Sequence, residues 1–216
     1  MSYDPVILVT GFEPFFGATL NPSWEAAKRL PDEVMGCRII KRELPVEWFE
    51  CSRQLEKYVR EFTPRAVISA GQGYPAPPVL IERLGMNICT GMDNTWQFDM
   101  YDEPIYYGGP AAYFSTYPYK AIHDRMKAEG IPARYNFNAG QNQCNCILYT
   151  ALHLAATQFP GMVAGFLHVP MLPDEEKGIQ GMPIEDTARA LLLAVEETAR
   201  FLHPKVRTIE EYRNDF

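Results

Sequence analysis

Cys144 stands in the run Asn138-Ala139-Gly140-Gln141-Asn142-Gln143-Cys144-Asn145, just ahead of an apolar series at Ile147, Leu148, Ala151, Leu152 and Ala155. That spacing predicts a helix over Cys144 to Phe159 with the thiol in its first turn. In such a place unpaired backbone N–H groups and the positive end of the helix dipole favour thiolate over thiol, lowering a cysteine pKa from about 8.5, and they offer donors to an oxyanion. A thiolate nucleophile still needs a base. His168, in Gly165-Phe166-Leu167-His168-Val169-Pro170, closes a run that reads as a buried strand. Glu82, in Ile81-Glu82-Arg83, is a carboxylate able to orient the imidazole, although by itself it reads far more readily as a surface ion pair with Arg83. Cysteine, histidine and acid together predict acyl transfer through a thioester.

The elements that would position these side chains alternate in type. Val6 to Thr10 is an apolar run ending in Gly11, the pattern of a strand covered on both faces, and Asn21-Pro22 then supplies an N-cap and first-turn proline for a helix over Ser23 to Leu30. Arg38 to Leu44 reads as a strand, Trp48 to Phe62 as an amphipathic helix, and Ala66 to Ala70 as a strand. From Gly71 to Pro118 glycine, proline, tyrosine and aspartate dominate without helical period, which predicts loops and short strands outside the main sheet. A helix over Pro118 to Gly130, a strand over Pro132 to Asn138, the Cys144 helix, a strand over Val163 to Val169 and a helix from Ile184 to about Leu202 complete the series. The expectation is a single α/β domain over 1–202, a three-layer α/β/α sandwich around a mainly parallel open sheet, followed by a polar tail over 203–216. Ligands of such sheets lie off the strand C-termini, so the loops after Thr10, Ala70, Asn138 and His168 are the ones to inspect.

Composition narrows the function. The chain has 216 residues, 47% of them hydrophobic and 22% charged, which is ordinary globular usage, and no apolar run reaches the roughly 18 residues of a membrane span. A net charge of -7 argues against general affinity for nucleic acid, which needs basic surface to displace counterions, and favours a small or peptidic ligand. Five cysteines form neither a disulfide ladder nor a zinc signature, and the N-terminus lacks a basic leader, so a reducing cytoplasmic setting is expected. Cys37, Cys51 and Cys89 read as small buried hydrophobes, and Cys144-Asn145-Cys146 is a weak metal or redox pair without nearby histidines.

The loop Thr10-Gly11-Phe12-Glu13-Pro14-Phe15-Phe16-Gly17 sets three phenylalanines on a turn at one of those strand ends, either to wall an apolar pocket or to pack beneath the turn. Five segments in order, T-G-F-E-P-F at 10–15, E-R-x-x-x-N at 82–87, G-P-x-A-Y-F-S-T at 109–116, A-G-x-x-x-C-N at 139–145 and H-V-P at 168–170, resemble the pyroglutamyl peptidase I family of cysteine peptidases. The resemblance runs to about Leu202. It implies a sandwich of the phosphorylase and hydrolase kind and a cofactor-independent, metal-free hydrolase that removes an N-terminal pyroglutamyl residue from peptides. It also implies a cytosolic homo-oligomer, a dimer or tetramer, that takes an N-terminally blocked peptide or small amide. By the same resemblance the nucleophile, base and acid fall on Cys144, His168 and Glu82. Phe12, Phe15 and Gln72 fall on substrate-binding positions, Gln72 acting through its backbone, while His123, His153 and His203 match none and read as helical or tail surface.

Two departures from the pattern concern the acyl group. Ala76 stands where the family has an arginine, and Asn142 and Gln143 replace an aromatic and an aliphatic residue that wall the lactam ring. Three functions therefore stay in view: a standard pyroglutamyl peptidase, a divergent cysteine amidase whose two amides hold a more polar acyl group, and a noncatalytic binding homologue.

Overall fold

The computed structural model describes residues 4–92 and 99–203. The chain begins with β1 (Val6–Phe12), α1 (Pro22–Lys28), β2 (Glu33–Val34), β3 (Cys37–Leu44), α2 (Glu50–Phe62) and β4 (Ala66–Gln72). It continues with β5 (Val79–Glu82), β6 (Leu84–Met86), β7 (Cys89–Met92), β8 (Asp99–Glu103) and β9 (Ala112–Phe114). The last elements are α3 (Tyr119–Ala128), β10 (Ala133–Asn136), α4 (Gln143–Thr157), β11 (Val163–Val169) and α5 (Ile184–Leu202). Each helix and strand expected from periodicity forms, with no end moved by more than two residues. Asn21 caps α1 as its sequence position predicts, its side chain accepting from the Ser23 N–H.

The main sheet runs β10-β5-β11-β4-β1-β3-β2. β1 is parallel to β3 and β4, β4 to β11, and β5 to β10, while β5 meets β11 antiparallel and β2 meets β3 antiparallel. The expectation that Gly71 to Pro118 stays outside the sheet therefore fails at Val79–Glu82, which forms a central strand. The rest of that stretch behaves as expected: β6 pairs with β9 and β7 with β8 in small separate ladders. The excursion returns to its own base, where the Ser115 N–H donates to Arg83 O at 3.0 Å and Ser115 Oγ to Glu82 O at 2.7 Å.

Alternation along the strands builds two cores. Ile7, Val9, Ile68 and Ile81 face α1, α3 and α5. Leu8, Val67, Ala164 and Phe166 face α2 and α4. Period-two geometry then puts Glu82 and His168 on the α4 side with Phe166. No helix among the described residues is long and apolar enough to cross a membrane. Of the predicted tail, only His203 lies within the described residues.

Candidate active site

Cys144 is the second residue of α4. The Asn142 side chain makes no cap hydrogen bond, and the first bond closing the helix runs from the Cys146 N–H to Asn142 O at 3.1 Å. The N–H groups of the first turn are thus left for a ligand. The approach to the helix is shaped by Asn138, whose Oδ1 accepts from the Gly140 N–H at 2.9 Å.

β4 passes beneath the thiol. A Cβ at Gly71 would lie 2.9 Å from Cys144 Sγ and 2.8 Å from the Phe166 ring, so only glycine lets the sulfur sit there. His168 closes β11, and its Nδ1 meets Glu82 Oε1 at 2.7 Å, leaving the other ring nitrogen for the Cys144 sulfur. Glu82 is fully buried, and Asn136 Nδ2 donates to both of its oxygens at 3.0 Å. Burial pushes the His168 pKa down, but the adjoining Cys144 sulfur and then Glu82 outweigh it, and the net value is raised to about 10. The imidazole is accordingly favoured in its charged form where it lies between the Cys144 sulfur and Glu82.

Arg83 takes no part in this pairing. Just past the end of β5, it turns to the start of α3, its guanidinium 3.3 Å from the centroid of the Tyr119 ring, so the surface ion pair with Glu82 does not form.

A cavity of about 430 Å³ opens at Cys144 and His168 and is lined by Phe12, Phe15, Phe16, Gln72, Asn142 and Gln143 among others. The aromatic loop is held in place by polar side chains. The Phe12 N–H donates to Ser23 Oγ at 3.1 Å, Asn21 Nδ2 donates to Glu13 O at 3.0 Å, and the Val46 N–H donates to Glu13 Oε1 at 2.9 Å. Phe15 and Phe16 meet edge to face with centroids 5.4 Å apart. All eight residues singled out from the sequence thus adjoin one site. The two amides differ, however: Asn142 is exposed, while Gln143 is 5% exposed and its Nε2 is buried without a partner. Ala76 lies half-buried in the loop after β4 and does not line this cavity.

Sequence reasoning missed Asn136 as the support of Glu82 and Glu13 as the brace of the aromatic loop. An asparagine at a strand end carries the same signal as any turn former, and nothing local distinguishes it. The histidine expectation also needs correction. His153 is half-buried and stacks on Tyr106 at 4.1 Å while bonding Tyr113 Oη at 3.1 Å, so it packs the excursion rather than lying free on the surface. Five cysteines are free, and no group of three or more His, Cys, Asp or Glu that could hold a metal occurs among the described residues.

Residues 6–201 match the pyroglutamyl peptidase family, Peptidase_C15. A pyrrolidone-carboxylate peptidase of Thermococcus onnurineus is 38% identical over 200 residues, covering 90% of this chain and 98% of that protein. One from Levilactobacillus brevis is 36% identical, covering 88% and 95%. Among solved structures, a mutant pyrrolidone carboxyl peptidase from Pyrococcus furiosus superposes with a TM-score of 0.86 at 35% identity, covering 92% of this chain and all of that one. Bacillus amyloliquefaciens pyroglutamyl peptidase I superposes with a TM-score of 0.84 at 31% identity, covering 91% and 97%. A match over nearly the whole length, in sequence and in fold alike, makes this chain a member of the pyroglutamyl peptidase family.

Proposed function

We propose that the chain is a cysteine omega-peptidase that removes an N-terminal pyroglutamyl residue from peptides through a thioester. The observation that carries this is the sequence of contacts from Glu82 to His168 to the Cys144 sulfur at the mouth of an aromatic cavity. Cys144 thiolate attacks the amide carbonyl carbon, and the negative charge moves onto oxygen, where the open N–H groups of α4 receive it. The His168 imidazolium protonates the leaving nitrogen, the C–N bond breaks, and the shortened peptide departs. Neutral His168 then takes a proton from water, whose oxygen attacks the thioester and expels the thiolate, regenerating the ion pair. Glu82 holds the ring tautomer throughout, as a positioning acid rather than a proton carrier.

Phe12 and Phe15 would flank the lactam ring, and the backbone at Gln72 would meet its polar edge. A second reading is favoured by one observation, the orphaned Gln143 amide in the cavity wall, which suits an acyl group more polar than pyroglutamyl. In either case we take residues 1–202 as one catalytic domain. Its free cysteines suit the cytoplasm, and exposed Tyr101, Tyr107 and Phe114 suit a homo-oligomer contact, dimeric or tetrameric.

The test is a hydrolysis screen of aminocoumarins N-acylated with pyroglutamyl, prolyl, glutaminyl and asparaginyl groups, run beside Cys144→Ala. Pyroglutamyl release that vanishes in the variant is expected. A preference for the open-chain amides would select the second reading, and activity surviving Cys144→Ala would end both.

A further inference from the structure

Two thiols outside the catalytic constellation adjoin each other. Cys89 on β7 and Cys146 on α4 are 2% and 4% exposed and pack in one cluster with Trp48 and Met100. Both also line a second cavity, of about 350 Å³, bounded by Trp48, Phe49, Ile105 and Tyr106. The Trp48 indole N–H, buried beside them, has no partner.

The backbone around the pair is stitched on both sides. Asn145, the residue before Cys146, donates from Nδ2 to Met86 O and to Ile88 O at 2.8 Å, and its Oδ1 accepts from the Met86 N–H at 2.9 Å. Ile88 is the residue before Cys89. On its other side the Thr90 N–H donates to Gln141 O at 2.9 Å, and Gly91, at φ 112°, lies so close to Asn142 that a Cβ there would stand 2.7 Å from Oδ1. Cys89 is therefore pinned from both neighbours to the segment that leads into and opens α4, the helix that carries Cys146. The two thiols thus share one cluster within a rigid frame, where Cys89 Sγ also donates to Glu103 O at 3.2 Å.

The pair is also asymmetric. The neighbouring Cys146 thiol lowers the Cys89 pKa, while Cys89 and then burial raise that of Cys146. Cys89 is the thiol that ionises first and so the one that attacks first.

We propose that Cys89 and Cys146 are a second, noncatalytic thiol site that closes to an intramolecular disulfide on reaction with a peroxide. Cys89 thiolate attacks one peroxide oxygen, the O–O bond breaks, and the departing hydroxide takes a proton to become water. Cys89 is left as a sulfenic acid. Cys146 loses its proton and attacks the Cys89 sulfur, the S–S bond forms, the S–O bond breaks, and a second water leaves. Two thiols are oxidised by two electrons and the peroxide is reduced. A dithiol reductant reverses the step by exchange. The bond would fasten β7 to α4 two residues beyond Cys144 without consuming the nucleophile.

The test uses the full chain carrying Cys144→Ser, so that the reactive nucleophile cannot compete, and its outcome is independent of the hydrolytic activity. The protein is treated with an equivalent of hydrogen peroxide, blocked with N-ethylmaleimide, digested and analysed by mass spectrometry. Of the four remaining thiols, two are expected to disappear, with Cys89 and Cys146 recovered as one linked pair that dithiothreitol releases. In a second protein carrying Cys144→Ser with Cys89→Ser, that linkage and the loss of two thiols should both vanish. Linkage of Cys146 to Cys51 instead would overturn the assignment. So would survival of both thiols, or over-oxidation of Cys89 without a link.

Discussion

Glu82 and His168 are diagonal neighbours across the antiparallel β5–β11 pair. Glu82 stands directly opposite Phe166, and His168 opposite Leu80, so acid and imidazole share the α4 face two residues out of step. Their side chains close that step with a 2.7 Å bond. A diagonal pair of this kind spans about 7–8 Å between backbones, within reach of a glutamate and a histidine leaning toward each other. Because both strands are interior to the sheet, neither side chain can change register without moving the core.

The acid itself is held by Asn136, through donation from one Nδ2 to both carboxylate oxygens. A hydrogen bond to a charged group contributes about 1.5–3 kcal/mol, and each 1.4 kcal/mol in a barrier is about a factor of ten. We predict that Asn136→Ala lowers kcat about tenfold to a hundredfold with KM little changed, and that Asn136→Asp lowers it further through repulsion with Glu82. Unaltered kcat in both variants would show that the carboxylate needs no support.

The His168 charge links stability to pH. Its pKa rises from 6.5 to about 10 on folding, burial being outweighed by the Cys144 sulfur and Glu82 beside it. The native state then binds more protons than the unfolded one between those values, so stability falls as pH rises through that window. The contribution is complete below about pH 6.5 and is lost as pH passes about 10. Urea midpoints at pH 6, 8 and 10 are expected to decline for the wild type and to decline less for Glu82→Gln. Parallel slopes would count against the charged pair.

Gly71 is expected to tolerate no side chain. In Gly71→Ala the new methyl meets Cys144 Sγ and the Phe166 ring at 2.9 and 2.8 Å, and one or both must move. Overpacking of this kind costs about 1–3 kcal/mol. The variant should fold with a lowered melting temperature, lose at least about tenfold in kcat, since each 1.4 kcal/mol is a factor of ten, and alkylate more slowly at Cys144 with iodoacetamide. Wild-type alkylation and turnover would mean that the sulfur has another resting place.

We propose that Gln143, rather than the exposed Asn142, sets the acyl wall: both line the cavity, but Gln143 carries a buried amide without a partner. Its unpaired buried donor costs about 1–3 kcal/mol, which an apolar replacement removes. We predict that Gln143→Val raises kcat/KM for pyroglutamyl-aminocoumarin about tenfold while Asn142→Phe changes it less, each 1.4 kcal/mol again being a factor of ten. A fall of similar size in Gln143→Val would mean instead that the amide donates to the substrate.

The sequence made the alternating frame legible because Val6 to Thr10, Ala66 to Ala70 and Val163 to Val169 are apolar runs buried on both faces, and Leu55, Val59 and Ile147 recur at helical spacing. β5 escaped because it is four residues long and follows Pro77-Pro78 in a stretch otherwise built of turn formers. Its strand character and its direction come from pairing with β11 and β10, which no local pattern contains. For the same reason Cys144 was legible from its helix, while Glu82 could be told from the other carboxylates only through resemblance. Asn136 had no signal of either kind. Cys89 and Cys146 lie 57 residues apart, and their juxtaposition follows from the Asn145 bonds to Met86 and Ile88.

The clamp at the foot of the excursion has an engineering consequence. Because Ser115 bonds back to Glu82 and Arg83, the chain leaves the end of β5 and returns to it at almost one point, and the frame does not depend on the length of what lies between β8 and β9. The exposed turn at Tyr107-Gly108, between β8 and β9, is a natural place to open new termini or to splice in a reporter domain. The Asn145 bonds hold the near part of the excursion against the nucleophile helix, so an insertion at that turn would vary in length while the acid, the base and the thiol kept their places.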